Sequence, residues 1–177
     1  MRTSDAAIYA VGDAAEVEGF VFGERKMVPL AGPANKQGRI AADNIAGIPS
    51  EYRGTQGSSV AKVFDLTAAS TGENEKSLIK RGMARGRDYE SVIITQNSHA
   101  GYYPGAVPMT IKLLFSMDGK KIFGAQIVGR GGVDKRIDTI GGTMRLGGGI
   151  SDLENLELAY APPYSSAKDP VNMAGFT

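Results

Sequence analysis

The segment Leu158-Ala-Tyr-Ala-Pro-Pro-Tyr-Ser-Ser-Ala-Lys-Asp-Pro-Val-Asn172 gathers two phenols, two hydroxyls and one ammonium into one short stretch. Pro162, Pro163 and Pro170 each fix φ near about −65° and remove a backbone donor. They predict a stiff path that keeps Tyr160, Tyr164 and Lys168 out of helix and sheet. A tyrosine ring is apolar with a polar tip, so the pair suits a half-buried surface where the hydroxyls meet a polar group. An extended arm packed on its own domain has the same composition, and the residues alone leave both readings open.

Two other stretches could hold a ligand. Ile8-Tyr-Ala-Val11 is a short apolar run that stops at Gly12-Asp13. It predicts a buried parallel strand turning sharply at its carboxyl end, where open α/β sheets bind ligands. Asp13 could accept two hydroxyl hydrogen bonds and Gly12 lets the backbone come close, which suits a sugar or polyol. A plain strand followed by an Asx turn explains the same pair. The stretch from Val28 to Ile45 predicts a helix, with Pro33 in its first turn and Gly47 and Pro49 ending it. Its amino end, around Leu30 to Ala34, offers unpaired N–H groups and a positive dipole end to an anion or an electron-rich ring edge. Ala34, Gly38, Ala41 and Ile45 recur at helical spacing, predicting a small-residue face pressed against a flat neighbour.

Composition excludes several chemistries. The chain has 177 residues, 42% of them hydrophobic, enough for one domain or one domain and part of another. No cysteine is present, so disulfides, thiol catalysis and thiolate zinc sites are excluded within the chain. One histidine, His99, cannot build a multi-histidine metal site, and no metal is expected. A formal charge of +1 argues against nucleic acid or an anionic membrane as partner. No apolar run approaches the roughly 20 residues of a membrane helix, and no signal peptide is legible at the amino end. A cytoplasmic protein is the expectation.

The elements that must position these residues follow from periodicity. Gly47 to Ser59 is rich in Gly, Ser, Pro and Thr and predicts a boundary, dividing the chain into 1–53 and 54–177. Val60 to Leu66 reads as a strand, Ser70-x-x-Glu73 as the cap of a short helix ending at Gly82, and Glu90 to Thr95 as a second strand. Met109, Ile111, Leu113 and Phe115 alternate along a third strand. Asp118-Gly119 turns it into a hairpin that returns from Ile122 to Val128. Gly129-Arg-Gly-Gly-Val-Asp134 has Asp134 where the dinucleotide fingerprint requires a glycine, and an acid there repels phosphate. It reads as a strand-to-helix turn capped by Asp134, leading into a helix whose core stripe is Val133, Ile137, Ile140 and Met144. Ser151-x-x-Glu154 reads as the cap of a last short helix. The second part is therefore an antiparallel sheet with helices on one face, and its other face calls for a partner, most simply a second copy.

Four collinear stretches carry a resemblance: Ile8-Tyr-Ala-Val-Gly-Asp13, Pro29-Leu-Ala-Gly-Pro-Ala-Asn-Lys-Gln-Gly-Arg39, Ser98-His-Ala-Gly-Tyr-Tyr-Pro-Gly105 and Tyr160-Ala-Pro-Pro-Tyr-Ser-Ser-Ala-Lys-Asp169. With them the chain resembles the carboxyl-terminal part of flavin-dependent pyridine nucleotide-disulfide oxidoreductases. It is most similar to the group of coenzyme A disulfide reductases, NADH oxidases and persulfide reductases. The resemblance implies an α+β reductase dimerisation domain preceded by a short α/β remnant of the FAD-binding domain. It implies that Gly12 and Asp13 meet the ribityl chain of FAD, and that Pro29, Leu30 and Ala31 lie against the pyrimidine edge of the flavin. It further implies that Tyr102 and Tyr160 reach across a homodimer toward the partner's active-site sulfur. There a phenol would donate a hydrogen bond to a developing thiolate. Lys168 matches a coenzyme A contact and Asn35, more loosely, a second substrate contact. Tyr103 and Tyr164 read as packing residues, His99 as structural, and Lys36 and Arg39 as solvated or paired on a helix surface.

The flavin fingerprint, the NAD(P)H domain and the redox cysteine of that family have no counterpart in these residues. The chain is therefore expected to be a fragment, inactive and without tightly held FAD on its own. The resemblance leaves the acceptor open between a coenzyme A disulfide, a persulfide and oxygen. A non-catalytic dimerisation module is a further alternative.

Overall fold

The computed structural model describes residues 1–176, which form two compact units, Met1–Gly57 and a second beginning at Ser58.

In the first unit the expected buried strand at Ile8–Val11 does not form. Tyr9 makes only an isolated antiparallel bridge with Arg2, and Ile8 and Val11 are exposed. A buried parallel strand needs neighbours on both edges and a layer on each face, and the described residues of this unit supply none of them. Gly12–Ala14 follows as a single 3-10 turn. Two short strands, β1 (Val17–Glu18) and β2 (Arg25–Lys26), pair antiparallel. Helix α1 (Ala31–Ile45) begins after an extended Leu30, carries Pro33 in its first turn and gives way to Gly47 at φ +79°. Its buried residues are Gln37 and Ala41, while Ile45 is exposed. The expected face of small residues is thus covered only at its middle, because the helix meets the narrow Gly12 turn rather than a broad sheet.

The second unit is an α+β fold. Strands β3 (Ser59–Val63), β4 (Leu66–Gly72), β5 (Tyr89–Asn97), β6 (Pro108–Ser116) and β7 (Ile122–Gly129) form one antiparallel sheet in the order β3-β4-β7-β6-β5. Between β4 and β5 lies α2 (Glu75–Lys80), and after β7 come α3 (Val133–Arg145), α4 (Ile150–Asn155) and α5 (Pro170–Gly175). The β6–β7 hairpin behaves as its alternation predicts. Met109, Ile111, Leu113 and Phe115 are buried, and they lie over Ile127 and Ala125 of β7 against α3 and α5. The helix stripe Val133, Ile137, Ile140 and Met144 is buried as well.

The local boundaries differ at four places. Val60–Leu66 is not one strand but the end of β3 and the start of β4, joined through Phe64 at φ +51°. Ser70 lies inside β4, and α2 is capped instead by Asn74, whose side chain accepts from the Ser77 amide at 3.0 Å. Asp134 does not cap α3; that position is taken by Gly132. Ser151 lies inside α4, whose preceding Gly149 amide donates to Asp152 at 2.7 Å. Only for Ser70 did sheet pairing select, by placing it in β4 opposite Gln126. Pro170 also departs from its expectation: it opens α5 behind an Asp169 cap instead of holding the tail out of helix.

The sheet face turned from α3 and α5 carries the cross-strand row Ala61, Ala68, Val128, Thr110 and Thr95. Its neighbouring row ends in Lys112 and Ile93. Ile93, Val128, Val63 and Leu66 are exposed there. At the far end Glu75 of α2 pairs with Lys112 and accepts from the Tyr89 hydroxyl at 3.0 Å. The Lys112 bond holds the Glu75 carboxyl below the usual carboxylate range. Close β4–β7 pairing depends on Gly124: a Cβ there would stand 2.2 Å from the Glu73 carbonyl oxygen.

Candidate functional site

In the first unit a buried amide ties two of the ligand-binding candidates together. Gln37, on the inner side of α1, accepts at 2.7 Å from the Gly12 amide. Gly12 has φ +69° and packs beside Ala34. This anchors the turn bearing Asp13 against the first half of α1. The Asp13 carboxylate is exposed and has no hydrogen-bond partner among the described residues. Leu30 supplies no side-chain cap, and the first helical amide to reach a carbonyl is that of Ala34, to Leu30. Ala31 and Gly32 therefore keep N–H donors with no acceptor among the described residues, beside an exposed Pro29. Asn35 is exposed one turn along, and Arg39 reaches Asp43 at 3.9 Å on the surface. Gln37 was not picked out from the sequence. A long polar residue one step from a small-residue stripe was the available signal. Gln37→Leu should destabilise the protein by about 1–3 kcal/mol by stranding the Gly12 donor, read as a lowered urea midpoint. An unchanged midpoint would show that solvent satisfies that amide.

In the second unit the structure brings Tyr102 and Tyr160 together. The two are 58 positions apart, yet their hydroxyls lie 3.0 Å from one another. Tyr102 is 77% and Tyr160 47% exposed, so neither points into the interior. The bond to Tyr102, with lost hydration adding to it, raises the Tyr160 phenol above its ordinary range. One of the two O–H bonds is taken by the contact between the hydroxyls. The other is free to donate outward. Lys168 is exposed, with its ammonium 5.5 Å from the centre of the Phe176 ring. Tyr164 is 72% exposed and is not the packing residue expected. The turn at Pro162–Tyr164, closed by the Tyr164 amide on the Ala161 carbonyl, pushes it outward. His99 is held by Ser98 at 3.1 Å and the Pro104 carbonyl at 3.3 Å, with Tyr103 edge-on at 5.8 Å, a structural setting.

Beneath the pair runs a buried ion pair that the sequence reading passed over. Arg136 of α3 and Asp169 are 1% and 2% exposed in their side chains, with 2.8 Å between Nη2 and Oδ2. Arg136 also donates to the carbonyls of Ser98 at 2.8 Å and Gly132 at 3.1 Å. Asp169 accepts from the Ser165 hydroxyl and from the Val171 amide, capping α5. Burial pushes the Asp169 carboxyl up, but the bonds from Arg136, Ser165 and Val171 outweigh it and leave the group below its usual range. One signal was available. Arg136 interrupts the core stripe of α3 beside Ile137, and a buried guanidinium requires a carboxylate.

An antiparallel sheet backed by helices, with an outward phenol pair contributed by the β5–β6 loop and the tail after α4, defines the second unit. The chain belongs to the pyridine nucleotide-disulphide oxidoreductases, residues 58–170 matching the dimerisation domain of that family. It is 37% identical over 176 residues to a coenzyme A disulfide reductase of Staphylococcus epidermidis, covering 99% of this chain and 39% of that protein. Among solved structures it resembles reduced Bacillus anthracis CoADR-RHD, at 56% identity and TM-score 0.93 over 98% of this chain and 30% of that one. An NAD-dependent persulfide reductase from A. fulgidus matches at 43% identity and TM-score 0.93, over 99% of this chain and 32% of that one. The chain thus spans about two-fifths of the length of the curated relatives it matches. No helix among the described residues is long and apolar enough to cross a membrane.

Proposed function

We propose that this chain is the dimerisation portion, with the closing stretch of the FAD-binding domain in residues 1–53, of an FAD-dependent NAD(P)H:disulfide oxidoreductase. The parent enzyme would reduce a coenzyme A disulfide or persulfide. The observation that carries the reading is the solvent-facing pair of Tyr102 and Tyr160. Exposed phenols bonded to each other are a poor use of aromatic surface in a purely structural loop, but they suit a donor that must meet a charge developing outside the unit. In a homodimer, one copy would extend the pair toward the sulfur centre of the other. Donation from Tyr160, backed by Tyr102, would then stabilise the departing thiolate. Lys168, which pairs with no carboxylate among the described residues, suits a phosphate of the substrate, and Asn35 offers a second polar contact.

The groups of the first unit fit FAD. Asp13 presents an unpaired carboxylate to hydroxyls, and the amides at Ala31 and Gly32 present donors to a carbonyl-rich ring edge. Bound FAD would supply electron transfer between NAD(P)H and the sulfur centre. Residues Gly12, Asp13, Pro29, Leu30 and Ala31 would hold and orient it. Without the remaining domains the chain is expected to bind FAD weakly and to be inactive.

The test is turnover by the full-length protein with NADH and NADPH against coenzyme A disulfide, a coenzyme A persulfide and oxygen, together with its sedimentation. A flavin-containing dimer that reduces one of the sulfur substrates at least ten times faster than oxygen supports the reading. Oxygen as the preferred acceptor would make the parent an NADH oxidase. A colourless dimer with no turnover would make the chain an assembly module.

A further inference from the structure

The exposure of Tyr102 and Tyr160 raises a mechanical question, because a surface pair can keep a 3.0 Å spacing only if something behind it is rigid. Tyr102 sits on the loop between β5 and β6, and Tyr160 on the tail after α4. Two buried connections join those segments. The Ala100 amide donates to the Ser165 carbonyl at 3.0 Å, two residues behind Tyr102 and five beyond Tyr160. Arg136 grips both sides at once, through the Ser98 carbonyl on the loop and Asp169 on the tail. The base of the loop is closed by the Ser98 amide on the Val107 carbonyl at 2.8 Å, so a hold on Ser98 is a hold on the whole loop.

We propose that Arg136, paired with Asp169 and Ser165, is the positioning residue that keeps Tyr102 and Tyr160 in register. The inference rests on the reading of the two phenols as the donors of the site. It also gives the turn Gly129–Asp134 a purpose. Arg136 folds back over the start of its own helix to reach the tail, and its Nη1 would lie 2.0 Å from a Cβ at position 132. Gly132, at φ +70°, leaves that path open. A guanidinium is needed because one group must serve a carboxylate and two carbonyls in different directions, which a lysine ammonium at the end of a flexible stem does not do.

The test uses the full-length protein labelled with fluorotyrosine, with the Tyr160 resonance assigned by its loss in Tyr160→Phe. In wild type that resonance should titrate later than a free fluorotyrosine, and in Tyr102→Phe it should titrate earlier than in wild type. Arg136→Lys should shift the Tyr160 titration to the Tyr102→Phe position and lower turnover at least tenfold. Circular dichroism and sedimentation should stay as in wild type. Ser165→Ala, a smaller change at the same junction, should move the titration in the same direction, and it decides the matter if Arg136→Lys does not fold. A folded Arg136→Lys or Ser165→Ala variant that keeps the wild-type Tyr160 titration overturns the inference. Full turnover in Tyr160→Phe would sink the donor reading instead, and the titration comparison keeps the two failures apart.

Discussion

Tyr160→Phe in the full-length reductase is expected to lower turnover of the sulfur substrate by about 10²-fold, the usual loss when one donor to a developing anion is removed. Flavin content and dimerisation should not change, because the hydroxyl is half-exposed and bonds only to Tyr102 among the described residues. Tyr102→Phe should produce a smaller loss. It leaves the Tyr160 O–H in place but withdraws the neighbour that orients it. The double variant should be little worse than Tyr160→Phe alone, since two groups acting as one unit do not add. Steady-state kinetics with NAD(P)H and the sulfur substrate check all three variants. A Tyr160→Phe enzyme with wild-type kcat would end the catalytic assignment.

Asp169→Asn should destabilise the second unit by about 3–5 kcal/mol, because it leaves the Arg136 guanidinium buried without its carboxylate. The wild-type pair also sets a pH dependence. The folded Asp169 carboxyl lies below its ordinary value, whereas in the unfolded chain it titrates at about 3.9. A depressed folded value means that the unfolded state takes up the proton first as the solution is acidified. The stabilisation is therefore complete above about pH 4 and disappears as pH falls through the lower folded value. Urea unfolding at a series of pH values should show a steep acid limb in wild type and a shallower one in Asp169→Asn. Equal limbs would mean that other carboxylates dominate acid unfolding.

The elements legible from sequence were those whose signal repeats within a few residues. The alternation from Met109 to Phe115, the Asp118-Gly119 turn and the stripe Val133, Ile137, Ile140, Met144 each state which face is buried, and burial follows. Caps were harder. Ser70, Asp134 and Ser151 were all chemically able to start a helix, and each lost to a neighbour two to four positions away. For Ser70 strand pairing decided the outcome, by drawing it into β4 opposite Gln126. Ile8–Val11 had the composition of a buried strand, but composition cannot supply the flanking strands that burial needs.

By itself the sequence determined the chemical inventory of this protein: phenols, an acid after a glycine, a helix start with free donors, and no thiol. It also determined the family, through motifs that lie in a constant order. Only the tertiary structure decided which of these groups meet. Tyr102 and Tyr160 are brought to hydrogen-bonding distance, Gly12 is fastened to Gln37, and Arg136 finds Asp169 across 33 positions. The reason is physical. Local propensity acts over a few residues, whereas hydrogen bonds between distant segments form only once the sheet has closed and buried a charge that must then be paired.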